Sequence, residues 1–409
     1  MAIDMEDSRP SLPNGSEQTV PLGPLGDTGI PEGENGDMET TDIHGPPRLE
    51  WTDSSESSND LRSDIFTRPT LPMLEAIVHT TLGDCTAEED KTTVAFQSYV
   101  ADLVGHEAAL LVMSGTMGNQ VALRTILRTP PHAILADHRG HIATLEGGGA
   151  TSICGAMVKP IVPANGHHLT LPDIQQQCIL RETVFDCPTR VISLENPIAG
   201  TIMPLHDMRA ISHWARAQSP PIHMHLDGAR LWEAVAAGAC KLREAGECFD
   251  SIQLCLTKGL GAPLGSVITG SSSFIKRAKW SRHLLGGGIR TSGIITAPAK
   301  VAIRDVFFGG KISLAQDKAR RAARLWQDLG GKLQLPTETN MVWLDLPASG
   351  VERDEFYALG RQLNLKVSNS LFVGRLIFHY QVSDAAFTRL CDLFKAVLKD
   401  RTVPTANSE

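Results

Sequence analysis

Six short apolar runs constrain this chain more than any other feature. They fall at residues 108–113, 133–137, 191–196, 222–227, 251–256 and 266–270. Each is of strand length and ends in Gly, Ser, Asp, Asn or a turn. Segments with helical spacing lie between most of them. In residues 93–104, for example, Val94, Phe96, Val100, Leu103 and Val104 fall mostly on one side. Buried strands alternating with helices of roughly ten or more residues predict a mostly parallel sheet covered on both faces. Ligands of such sheets bind at the carboxyl ends of the strands.

Those ends carry chemistry. The run at 251–256 leads through Thr257 into Lys258 and the turn Gly259-Leu-Gly-Ala-Pro-Leu-Gly265. The run at 222–227 ends in Asp227, followed by Gly228-Ala-Arg230. A lysine at one strand end near an acid at another suits an aldehyde cofactor with a pyridine ring. The lysine can form a Schiff base, and the acid can hold the ring nitrogen protonated. The run at 108–113 opens into Ser114-Gly-Thr-Met-Gly-Asn119 and a helix. Orphan N–H groups and the helix dipole favour an anion there, although any N-capped helix after a strand has the same look. The run at 133–137 leads to His138, His141 and Glu146-Gly-Gly-Gly149. Arg282 to Gly293 forms a glycine-rich loop around Arg290, which suits either a cation for a ligand or a surface turn.

Composition excludes other classes. The chain has 409 residues, 42% hydrophobic and 21% charged, as in soluble globular enzymes. A net charge of −8 argues against nucleic-acid binding. No apolar run approaches the ~20 residues of a membrane span, and no secretory pattern opens the chain, so a cytoplasmic protein is expected. The eight cysteines have no CxxC spacing, which excludes a zinc site or disulfide framework. Residues 1–60 are rich in Pro, Gly, Ser and acids and predict a disordered acidic tail. A large domain is expected over 61–314 and a small α+β domain over 315–402. The latter closes on a helix striped by Phe387, Leu390, Phe394 and Val397, with Ser383 as its N-cap.

Asp227-Gly-Ala-Arg-Leu231 and Leu256-Thr-Lys-Gly-Leu-Gly-Ala-Pro-Leu-Gly-Ser266 resemble the cofactor motifs of the threonine aldolase group. That group belongs to the β-eliminating lyase family of pyridoxal 5'-phosphate (PLP) enzymes. The resemblance implies the PLP-dependent fold type I, a homodimer or homotetramer, and a small amino acid substrate. It implies that Lys258 carries PLP, that Asp227 pairs with the pyridinium nitrogen and that His141 stacks on the ring, these three being catalytic. Ser114, Gly115 and Thr116 would hold the phosphate, which Arg290 reaches, often across a subunit interface. Ser63, Arg230 and Arg375 would fix the substrate carboxylate. Two positions depart from the family pattern. Ala87 stands where relatives usually have tyrosine, and Ile198 where they have a histidine near the substrate hydroxyl. Two reactions therefore stay open. One is cleavage of L-threonine, L-allo-threonine or a related β-hydroxy amino acid to glycine and an aldehyde, as in natural-product pathways. The other is racemisation of alanine, whose side chain has no hydroxyl to handle.

Overall fold

The computed structural model describes residues 55–398. Most of the expected acidic tail lies outside the described residues. Residues 55–60, which composition groups with that tail, are packed on the body. Ser57 and Asp60 are buried. Asp60 forms a parallel bridge with Lys366, and the Leu61 amide donates to the Lys366 carbonyl at 2.9 Å. Composition misses this because the partners lie some three hundred residues along the chain.

Seven strands form the main sheet: β1 (Ala108–Val112), β2 (Ala133–Asp137), β3 (Met157–Ile161), β4 (Thr189–Glu195), β5 (His223–Gly228), β6 (Ser251–Cys255) and β7 (Ser266–Gly270). Their order is β1-β7-β6-β5-β4-β2-β3. The central strands run parallel, as the alternation predicts, whereas β7 is antiparallel to both β1 and β6. Alternation across the pleat sorts side chains between two faces. Leu111, Met224, Leu226, Ile252 and Leu254 join Phe96, Val100 and Val104 of the helix Lys91–Val104 in the largest core cluster. Leu110, Val112 and Ile268 face the opposite way and pack on Val121 and Ala122 of the helix Gly115–Ile126. On that second face β5 and β6 also turn inward three polar residues, His225, Asp227 and Gln253. This polar strip positions the site.

A three-stranded antiparallel sheet follows: β8 (Lys332–Leu335), β9 (Met341–Asp345) and β10 (Arg375–Ile377), in the order β10-β9-β8. Its core contains Trp326, Leu344, Phe356, Phe378, Leu390 and Phe394. The helix Lys311–Asp328 spans the position expected to divide the chain. Its Ile312 packs in the first core and its Ala315 in the second. Ser383 caps the closing helix Asp384–Leu398 through a 3.1 Å bond from the Ala386 amide. Among the described residues no helix is long and apolar enough to cross a membrane.

Candidate active site

Lys258 opens a short 3-10 turn after β6 with φ of +55°, a left-handed conformation unusual for any residue but glycine. Strain of this kind persists only where the surroundings over-determine it. Here the Thr67 hydroxyl donates to the Lys258 carbonyl at 2.7 Å. The turn borders a cavity of about 310 Å³ at the carboxyl ends of the central strands. Two larger cavities, of about 630 and 540 Å³, contain neither Lys258 nor Asp227.

Asp227, the penultimate residue of β5, stands directly beside Glu195 at the end of β4. Both oxygens of Asp227 act as acceptors. One accepts from Asn119 Nδ2 at 2.7 Å, the other from the Ala229 amide at 3.0 Å. The Gln253 amide, in the orientation that satisfies all its neighbours, adds a third donor at 2.9 Å. Gly118 makes room for Gln253, because a Cβ there would sit 2.7 Å from Gln253 Cγ. Asn119 also donates to Glu146 at 2.7 Å, and its carbonyl oxygen faces His225 Nε2 at 3.1 Å. Burial, then the neighbouring His223, pushes the His225 pKa down to about 4, so this ring is neutral and has one N–H to give.

Glu146 also accepts from Gln120 at 2.5 Å and meets His141 Nδ1 at 2.8 Å. That bond to Glu146 outweighs burial and raises the His141 pKa above the ordinary imidazole value. The His141 amide donates to Glu195 Oε2 at 2.9 Å. Burial, then the adjacent Asp227 charge, pushes the Glu195 carboxyl up to about 7. Its side chain keeps some exposure to the cavity it lines.

Seven expected residues share the cavity wall: Ser114, Gly115, Thr116, His141, Asp227, Arg230 and Lys258. Ser114 Oγ caps its helix by accepting from the Met117 amide at 3.1 Å. Ser63, Arg290 and Arg375 do not line this cavity. Ser63 caps the turn Asp64–Phe66, accepting from the Ile65 amide at 3.3 Å. The next residue, Asp64, is fully buried and takes Arg230 in a two-point grip of 2.8 and 2.6 Å. Arg230 therefore meets a carboxylate within its own chain. Burial alone would raise the Asp64 pKa; the Arg230 charge and hydrogen bonds win and hold it at about 2. Arg375 has no carboxylate partner among the described residues. It lies 3.9 Å over the Phe372 ring and donates to the Arg62 carbonyl at 3.4 Å. Burial, then the nearby Arg230 charge, lowers its pKa to about 10. The Arg290 side chain is 84% exposed and pairs with Asp84 at 3.3 Å. Ile198 is buried in a two-way backbone turn with Thr201, and Ala87 is exposed in a loop.

Sequence reasoning missed Glu195, Glu146, Asn119 and Gln253 as parts of the site. The available signals were an acid closing a buried strand and a polar residue, Gln253, between Ile252 and Leu254.

A lysine, a multiply bonded aspartate and a helix N-terminus around one cavity could hold an anionic carbonyl cofactor in an α/β fold. The chain belongs to the Beta-eliminating lyase family, whose model matches residues 60–349. Within that family it is a member of the threonine aldolase group. It is 47% identical over 350 residues to the Aldolase vrtJ of Penicillium aethiopicum, covering 85% of this chain and 88% of that one. It is 41% identical to the Low-specificity L-threonine aldolase of Eremothecium gossypii, covering 82% and 86%. It is also 37% identical to the Alanine racemase TOXG of Cochliobolus carbonum, covering 88% and 93%. The fold matches the solved threonine aldolase of Leishmania major with a TM-score of 0.70 at 17% identity, over 83% of this chain and 99% of that one.

Proposed function

We propose that this chain binds PLP at Lys258 and cleaves a β-hydroxy amino acid, such as L-threonine or L-allo-threonine, to glycine and an aldehyde. The observation that carries this reading is that Lys258 and Asp227 share one cavity, with three donors fixing the Asp227 carboxylate. The residues fit the cofactor. Gly115 and Thr116 begin a helix at the cavity wall, where unpaired backbone N–H groups suit a phosphate. When bound, PLP supplies an electron sink for the pair released at Cα. Lys258 would hold the cofactor through its aldehyde, Asp227 would pair with the ring nitrogen, and His141 would cover the ring. Arg375, a cation with no carboxylate partner among the described residues, is the group that takes the substrate carboxylate, since bidentate guanidinium pairing is strong when partly desolvated. Arg230, already paired with Asp64, orients that neighbourhood. Arg290 points to solvent, which suits a contribution to the phosphate of a second copy in the expected homodimer or homotetramer.

A racemase acting on alanine is the second reading. It is favoured by the buried aliphatic side chain at position 198, where the group usually has a hydroxyl-handling histidine, and by the likeness to TOXG. Purified protein incubated with PLP and L-threonine, L-allo-threonine or L-alanine, followed by chiral amino acid analysis, separates the two. Glycine from either threonine supports the aldolase. Intact threonines with D-alanine formed from L-alanine overturn it.

A further inference from the structure

We infer that Glu195 is the catalytic residue that takes the proton from the substrate's β-hydroxyl, in place of the histidine this chain lacks. The inference rests on the aldolase reading above. Retro-aldol cleavage needs a base at that oxygen. The O–H bond breaks toward the base, the C–O bond becomes the aldehyde C=O, and the Cα–Cβ bond breaks with its electron pair left at Cα. One proton leaves the hydroxyl and one reaches Cα. The base returns to its starting state by passing its proton on through Lys258 or solvent, and no further reactant is consumed.

The cavity offers few groups for this task. Ile198 is sealed in its turn and has no titratable atom. Arg230 is a cation gripped by Asp64. Both Asp227 oxygens are engaged by donors from Asn119, Ala229 and Gln253. The thiol of Cys255 is paired with the Thr257 hydroxyl at 3.1 Å. His141 is tied through Nδ1 to Glu146, a bond that raises its proton affinity, and its ring is the one expected to cover the cofactor.

Glu195 differs from all of these. It lines the cavity, and its Oε2 accepts a single bond from the His141 amide at 2.9 Å. No donor among the described residues reaches its Oε1. It stands beside Asp227 in register across β4 and β5. Two neighbouring carboxyl groups in unequal environments separate their proton affinities, and this is the pattern by which acid and base roles are assigned. The well-bonded member serves the cofactor. The other, shifted to about 7 by burial and by Asp227, exchanges its proton at working pH.

The test uses the full chain loaded with PLP. Wild-type cleavage of either threonine isomer is established first; its absence, with alanine racemised, sinks the aldolase reading itself. Given cleavage, Glu195→Gln is expected to lower kcat by about a hundredfold or more, the usual worth of a positioned acid–base group. KM and the visible absorbance of the bound cofactor should change little. The wild-type rate should rise with pH through a limb near 7, and that limb should vanish in E195Q, with Glu195→Asp retaining part of both. Infrared difference spectra of the cofactor-free protein supply a readout independent of turnover. A carboxylic acid band that titrates near neutral pH in wild type should be missing from E195Q. A variant E195Q that cleaves at the wild-type rate with the limb intact overturns the inference. So does a cofactor-free protein with no such band, including the case in which E195Q fails to fold or to bind PLP.

Discussion

Asp64→Asn tests the electrostatic core of the site. Asp64 is fully buried and meets Arg230 at 2.6 and 2.8 Å, and the Arg230 side chain is itself only 15% exposed. Lowering the Asp64 pKa from 3.8 to about 2 corresponds to about 2 kcal/mol of stability at neutral pH. The amide variant loses this and also strands the Arg230 charge. Breaking a buried pair by removing one partner costs about 3–5 kcal/mol, because the remaining charge stays desolvated. We expect a loss of that size in urea unfolding at fixed protein and PLP concentration, since bound cofactor and subunit association both shift apparent stability. Asp64→Leu combined with Arg230→Met should recover most of it, as apolar residues of similar volume commonly replace buried pairs without loss. The sign with pH follows from the lowered pKa. The Asp64 contribution is full above about pH 4 and disappears as pH falls through 2, so wild type and D64N should converge on the acid side. A single variant within about 1 kcal/mol of wild type, or a double variant as unstable as the single one, refutes the reasoning.

Three further outcomes are expected. Lys258→Ala should abolish turnover and the visible absorbance of the bound cofactor while the far-ultraviolet circular dichroism stays native; retained turnover would put the cofactor linkage elsewhere. Arg375→Ala should raise KM for the amino acid about tenfold or more, because a charge-assisted contact is worth about 1.5–3 kcal/mol; an unchanged KM would assign the carboxylate to another cation. Ile198→His should speed threonine cleavage at the low end of the ~10²–10⁴-fold given by a positioned acid–base group, yet cost about 1–3 kcal/mol of stability by burying an imidazole without a partner. In a racemase the same change slows alanine turnover, so steady-state rates on both substrates tell the readings apart.

Much of this molecule is legible in its sequence because the relevant signals are local. Five neighbouring residues are enough to mark β6 as a buried strand, and one lysine followed by a glycine-rich turn is enough to mark its end. The helix N-terminus after β1 and the aspartate near the end of β5 are visible in the same way. Where the local signal fades, so does the reading. β3 carries no such signal because it is a partly exposed edge strand, with Met157 45% exposed and Pro160 in its ladder. The antiparallel course of β7 could not be read from an apolar run that has no direction. By itself the sequence determined which strand ends bear reactive side chains, since residue identity sets what a group is able to do. Only the tertiary structure decided what each group meets there. Asp64 and Arg230 stand 166 residues apart in the chain, and Glu195 reaches Asp227 through strand pairing. A carboxyl group's proton affinity depends on burial and on charges a few ångströms away, and those distances exist only once the chain has folded.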